Sequence, residues 1–310
     1  MINTMKKLLG WRKALVWAGL LACILSGCSL PSKEALDFTA RMPEPGEMSI
    51  RYFNLESEEK SGDAVLVTTP DGQQLLLDAG VPGSGPKLDE LLRDLGIEKL
   101  DVVISTHPHI DHIGGLTTLL RTMPVSAYYS NGVPHTTDTY AKVQAALKDE
   151  GVEEHILQEG DRLELSEGLN IEVLNPDPVS IGPLEKQRST EELNNHSLVL
   201  LMTYKDTRVL FTGDIYKTAE YELMERYKDQ LKADLMHAPH HGDKTSSSGK
   251  FIDAVGPEQV IISANMLQSL DVLKRYEKKA DHVWTTGLNG NMLFILDGKK
   301  IEAVPERMPE

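Results

Sequence analysis

Short apolar runs and amphipathic stretches alternate along most of the chain, and their periods predict its elements. Residues 48–53 read as a strand, and the runs "AVLVTTP" and "QQLLLDAG" flank an Asp71–Gly72 turn, the signature of a β-hairpin. Apolar spacing of three and four predicts helices near 87–95, 116–121, 139–148, 217–227 and 270–279. Strands are predicted at 101–106, 170–174, 197–203, 208–212, 259–263 and 291–296. Hairpins mixed with strand–helix alternation imply sheets covered by helices. Residues 175–195 carry no pattern and read as one long loop. No internal repeat is visible by inspection.

The N-terminus breaks this rhythm. Lys6, Lys7, Arg12 and Lys13 precede a 12-residue apolar run, Ala14 to Leu25, too short to span a bilayer and suited to a secretory signal. The run ends in "LSGC", which resembles the bacterial lipobox, so residues 1–27 are expected to be a leader and Cys28 the lipid-bearing mature N-terminus. An uncleaved signal anchor is the other reading. Pro31, Pro43 and Pro45 mark residues 28–46 as a tether, and residues 47–305 as the folded domain. The 2 cysteines, Cys23 and Cys28, both fall in this region, leaving the domain without disulfide or thiolate ligand.

The densest chemistry is "STHPHIDHIGGL", which places His107, His109, Asp111 and His112 within six residues of a chain holding 10 histidines. The β-branched run before it reads as a buried strand, so these side chains start on the loop end of a sheet, where chemistry is commonly mounted. Ile113, Leu116, Leu119 and Leu120 have helical spacing, which puts Asp111 at a helix N-terminus, where a carboxylate is favourable in any case. A capped turn with solvated histidines is the bland reading, and the density of ligand-type residues argues against it. Imidazole with carboxylate suits zinc, manganese or iron. In extended backbone His107 and His109 project the same way and could share one ion, while Asp111 and His112 turn toward another. Further ligand-type residues recur at predicted strand ends: Asp78 in "LLLDAG", Asp214 in "LFTGDIY", and His237, His240 and His241 in "LMHAPHHGDKTSSSG".

With these motifs in this order, the chain resembles the metallo-β-lactamase-fold hydrolases, whose T-H-x-H-x-D-H hallmark "THPHIDH" matches. More narrowly, "NNHSLVL", "FTGD" and "APHHGDKTSSS" resemble the extracellular hydrolase domain of ComEC, the competence DNA-uptake channel, over about residues 47–305. The resemblance implies an α/β fold, the αββα sandwich of two mixed β-sheets covered by helices, with a dinuclear metal site at one edge. It implies one ion on His107, His109 and His240, a second on Asp111 and His112, Asp214 bridging both, and Asp78 bracing the site. Two divalent ions are expected, zinc with manganese as the alternative. Bound water then approaches a pKa of roughly 7 and becomes a nucleophile that Asp111 could orient.

Two departures bear on this. ComEC-type domains carry Asn-x-Tyr-Gly-His-Pro after the strand equivalent to "QVIISAN", and its histidine completes the second ion position; here "ANMLQSLDVL" has none, with Gln268 the nearest polar substitute. The second position is therefore expected to be weak. His196 in "NNHSL" is a further candidate, with a hydrogen-bonding role the plainer expectation. His241 is expected to orient a ligand or touch substrate. His135, His155, His237 and His282 are expected to be structural or exposed.

Charge narrows the substrate. The formal net charge is −15, and loss of the four positive charges in residues 1–27 takes it to −19. Such acidity disfavours long nucleic acid, whose binding depends on neutralising phosphates. The expectation is a membrane-attached, outward-facing hydrolase acting on a small phosphodiester or a phosphate-bearing wall polymer, with the hydroxyls of "KTSSSG" offered to phosphate. Competing expectations are lactone, ester or lactam hydrolysis on the same fold, and a non-catalytic lipid-anchored binding protein with a degenerate second position.

Overall fold

Six strands open the fold: β1 (Met48–Tyr52), β2 (Val65–Thr68), β3 (Gln74–Leu77), β4 (Val102–Ser105), β5 (Tyr128–Ser130) and β6 (Glu154–Ile156). The next seven form a second sheet: β7 (Arg162–Ser166), β8 (Leu169–Asn175), β9 (Val199–Tyr204), β10 (Thr207–Phe211), β11 (Leu235–His237), β12 (Gln259–Ile262) and β13 (His282–Thr285). The chain then returns to the first sheet with β14 (Met292–Leu296) and β15 (Ile301–Pro305), giving the orders 15-14-1-2-3-4-5-6 and 13-12-11-10-9-8-7. This computed structural model describes residues 41–56, 62–183 and 187–308. The leader, Cys28 and the tether as far as residue 40 lie outside the described residues.

Each sheet changes character partway. β1, β2 and β3 pair antiparallel, and β3 to β6 then run parallel. β7 to β10 likewise pair antiparallel, and β10 to β13 run parallel. The two halves thus repeat one topology that residue identity does not display. Antiparallel neighbours need only short turns, whereas each parallel step needs a crossover. The crossovers supply the helices that cover the outer faces.

Three apolar layers result. Tyr52, Ile104, Val173, Phe211 and Phe294 belong to the cluster between the sheets. Leu88 and Leu92 of the helix Gly85–Asp94, and Val143, Ala146 and Leu147 of the helix Asp138–Asp149, cover the first sheet. Leu223, Phe251, Val272 and Tyr276 cover the second. Each such side chain, fully buried, contributes about 1.5–3 kcal/mol relative to exposure. The arrangement is the αββα sandwich.

Two expectations need correction. Residues 175–195 are not one structureless loop: they hold the helical turns Pro178–Ile181 and Thr190–Asn195, the second closed by a Ser189–Glu192 capping box. The tether also ends earlier than expected. Arg41 pairs with Glu302 of β15 at 2.8 Å, and its carbonyl accepts a hydrogen bond from buried Arg51. The short strands β5, β6, β7, β11, β13 and β15 are held by neighbours in the ladder, which local pattern does not reveal.

Candidate metal centre

The parallel strands of both sheets end at one edge, and the ligand-type residues sit there. Asp78 follows β3 in left-handed backbone, φ 56°. Its carboxylate accepts from the Thr106 backbone N–H at 2.8 Å and the Thr106 hydroxyl at 2.7 Å, pinning the chain as it leaves β4. His109 then caps the single turn Ile110–Ile113, which folds Asp111 and His112 back over the strand ends. Gly115 is needed close by, since a Cβ there would stand 2.2 Å from the Ala79 carbonyl. On the second sheet Gly213, at φ 50°, turns Asp214 inward directly after β10.

Asp214 is the hub. Its Oδ2 lies 3.2 Å from His112 Nε2, 3.7 Å from His241 Nε2, 3.8 Å from His107 Nε2 and 3.9 Å from His240 Nε2. His107 Nε2 and His109 Nδ1 face each other at 2.9 Å, and Asp111 Oδ2 is 3.8 Å from His241 Nε2. His107, Asp111, His112, Asp214 and His241 are buried, whereas His109 and His240 are partly open to solvent.

Hydrogen bonds around this hub define the tautomers. His112 Nδ1 donates to Asp78 Oδ2 at 2.8 Å. His107 Nδ1 donates to the Thr106 hydroxyl at 3.1 Å, whose own proton goes to Asp78. His240 Nδ1 donates to the Thr245 hydroxyl at 2.8 Å, which in turn donates to Asp243. His241 Nδ1 donates to the Ser263 carbonyl at 2.8 Å. With Nδ1 occupied outward, each Nε2 presents a lone pair inward, the arrangement that metal-binding imidazoles require.

The residues fit divalent ions. Among the described residues, the Nε2 atoms of His112 and His241 and Oδ1 of Asp214 are buried without a hydrogen-bond partner, a costly condition unless something positive lies between them. Electrostatics agrees. Burial disfavours a charged imidazole at His112 and His241, yet Asp214, with Asp78 or Asp63, outweighs it and raises both pKa values well above the ordinary histidine range. Burial likewise opposes ionisation of Asp214, and His112, His241 and His107 overcome it and hold its carboxyl well below the usual range. The pocket therefore favours positive charge. Two of the donor sets, His107–His112–Asp214 and Asp111–His112–His241, have atoms within 4.8 Å of one another. The first is flanked by His109 and His240, so the donors divide into two adjoining positions.

Several expectations change on this geometry. His241 sits closer to the hub than expected: its Nε2 lies 3.8 Å from Asp111 Oδ2 and 3.7 Å from Asp214 Oδ2. Gln268 is exposed, its amide donating to the Met266 carbonyl at 3.1 Å, because the loop after β12 turns outward. His196 terminates the helix Thr190–Asn195, and its Nδ1 is satisfied by the Glu192 carbonyl at 2.5 Å. The serine run is buried and engaged within the fold. Ser246 donates to the Ile215 carbonyl, Ser248 caps the helix Gly249–Val255, and the backbone N–H groups of Ser247 and Ser248 bond to buried Glu220. His135 stands at the mouth, its ring 5.6 Å from that of His109. Tyr216 lies 4.9 Å from the His240 ring.

Sequence reasoning missed Asp63; His237, expected to be structural or exposed, is buried. Asp63 is 2% exposed, with Oδ2 3.3 Å from His237 Nε2 and Oδ1 3.4 Å from His241 Nδ1. Its only sequence signal is Gly62–Asp63 before an apolar strand, which equally describes a turn.

Residues 58–264 match the model of the metallo-β-lactamase superfamily, and the chain belongs to that superfamily. The narrower likeness is to ComEC-type competence proteins. ComE operon protein 3 of Bacillus subtilis (strain 168) is 31% identical over 204 residues, covering 64% of this chain and 25% of that protein. Competence protein ComA of Neisseria gonorrhoeae is 28% identical over 248 residues, covering 78% of this chain and 32% of that protein. Ribonuclease J of Corynebacterium glutamicum is 33% identical over 101 residues, 29% of this chain and 14% of that enzyme. The chain therefore spans a third or less of the length of these relatives.

Proposed function

We propose that the protein is a metal-dependent hydrolase of phosphodiester bonds, working at the outer face of the cytoplasmic membrane on a small phosphodiester or a phosphate-bearing wall polymer. The observation that carries it is the convergence of four imidazole Nε2 atoms on Asp214 Oδ2, within 3.2–3.9 Å. His107, His109 and His240, with Asp214, would hold one divalent ion, and Asp111, His112 and His241, with Asp214, the other. Such ions, when bound, supply Lewis acidity toward the ester oxygen and toward water.

The chain's own residues do the rest. Asp111 is 8% exposed at the lip, where its carboxylate can orient an attacking water. Burial raises its pKa, but His241 and His112 outweigh this and hold it well below the carboxylate range, so it is ionised at neutral pH. Asp78 and Thr106 keep His112 and His107 aimed, and Thr245 does so for His240. The placement of His241 Nε2 beside Asp111 and Asp214 supports the catalytic reading over a degenerate binding protein.

Membership of the superfamily supports hydrolysis, and the likeness to an enzyme named as a ribonuclease supports phosphodiesters among its substrates. The net charge of −15 points away from long nucleic acid. Attachment is assigned to lipid on Cys28 from the "LSGC" resemblance to the bacterial lipobox; among the described residues no helix is long and apolar enough to cross a membrane. The test is ion content per chain together with hydrolysis of bis-p-nitrophenyl phosphate after loading with zinc or manganese. Two ions and turnover are expected; an ion-loaded chain inert toward phosphodiesters but active on lactones or thioesters would overturn the substrate class.

A further inference from the structure

Behind His241, away from the mouth, lies a buried carboxylate that the reaction described above does not use. Asp63 precedes β2, and its backbone is tied to both site loops. Its N–H donates to the Asp111 carbonyl at 3.2 Å, and its carbonyl accepts from the Gly80 N–H at 2.8 Å. Its side chain faces His237 at 3.3 Å and His241 at 3.4 Å, with His112 Nδ1 further off at 3.9 Å. His237 ends β11, is buried, and packs edge-on against Tyr52, ring centroids 5.5 Å apart.

A carboxylate this deep is expensive unless it faces positive charge. Asp78 occupies the matching place behind His112, touching Nδ1 of a ligand-type imidazole whose Nε2 meets Asp214. Asp63 stands in a comparable but looser place behind His241, its Oδ1 3.4 Å from Nδ1. Two inward-pointing histidines, one from each half of the fold, thus each have a carboxylate of the first half behind them, and a carboxylate so placed orients a ligand imidazole and raises its basicity.

We propose that Asp63, held in place by His237, is a positioning residue for the second ion position: it fixes His241 and sets how tightly Asp111, His112 and His241 retain an ion. This rests on the dinuclear reading above. Oδ1 lies 3.4 Å from His241 Nδ1, beside the Ser263 carbonyl that accepts the Nδ1 proton. Oδ2 is restrained by His237, so rotation of the carboxylate away from His241 would break a second contact. His237 then acts through Asp63 and need not touch an ion.

The experiment measures stepwise ion affinity by chelator competition on the full chain and on Asp63→Asn, Asp63→Glu and His237→Gln, with the visible spectrum of the cobalt(II)-loaded forms. In Asp63→Asn the tighter ion should bind as in the parent, the weaker about 10–100-fold less tightly, and the cobalt spectrum should change at the second equivalent only. Asp63→Glu should recover part of the loss. Should Asp63→Asn fail to fold, His237→Gln decides by the same criterion, with a several-fold weakening of the second ion expected. A parent that binds two ions and a variant that binds both with unchanged affinity and spectrum overturns the positioning role alone. A parent that binds no ion overturns the dinuclear reading instead.

Discussion

The Nδ1 of His112 lies 2.8 Å from Oδ2 of Asp78, a residue thirty-four positions earlier and on the neighbouring strand end. That contact fixes the tautomer of the imidazole nearest Asp214. It also makes Asp78 structural as well as functional, because the same carboxylate holds the Thr106 N–H and hydroxyl. Asp78→Ala should therefore destabilise the fold by about 3–5 kcal/mol, the range for breaking one side of a buried charged pair. Urea unfolding of parent and variant checks this; equal midpoints would show that the contact carries no stability.

Asp214 serves both ion positions at once. Asp214→Ala should lower ion content at both and reduce phosphodiester hydrolysis by more than about 100-fold, since groups that merely support ligands already cost 10–100-fold. Metal analysis beside the initial rate reads both effects. An Asp214→Ala chain with two ions and parental turnover would remove Asp214 from the centre.

Ion binding should also be visible in stability. Ligand at a hundred times its dissociation constant stabilises by about 2.7 kcal/mol per site, which for a domain of this size is a rise in Tm of roughly 5–10 °C. Zinc or manganese should raise Tm by that order and a chelator should reverse it. A melting curve indifferent to both would speak against a preformed site.

Glu220 anchors the loop that follows His240 and His241 by accepting from two backbone N–H groups. Glu220→Ala leaves those buried donors unpaired and should cost about 1–3 kcal/mol. Its pKa is raised by burial, against the hydrogen bonds from Ser248 and Ser247. The folded chain therefore holds this proton more tightly than the unfolded one. The stability this lends is full below the unfolded pKa and is lost as pH rises through the folded value. The advantage of the parent over Glu220→Gln should accordingly shrink as pH rises above the ordinary carboxylate range, and a constant difference would place the carboxyl's pKa at its ordinary value.

Cys28 supplies a prediction outside the fold. Protein extracted from membranes should carry lipid on Cys28 by mass spectrometry, and Cys28→Ala should shift the chain to the soluble fraction. An unmodified cysteine in membrane-derived material would defeat the anchor.

Local pattern alone determined much of this protein. The hairpin around Asp71–Gly72, the longer amphipathic helices and the apolar strands before His107 and Asp214 are all written in periods of two or 3.6, because burial of one face is a local demand. "THPHIDH" was legible for the same reason, its ligand-type residues lying within seven positions of one another. Three-residue strands such as β5 and β11 were not legible, since only their neighbours in the ladder stabilise them. Tertiary structure alone decided which histidine of the adjacent pair His240 and His241 faces Asp111, because left-handed backbone at both, φ 52°, sends their rings apart. It alone turned the Gln268 loop outward, buried the serine run against Glu220, and brought Asp63 behind His241. Those relations join residues distant in sequence, whose side chains meet only when two sheets with one topology pack face to face.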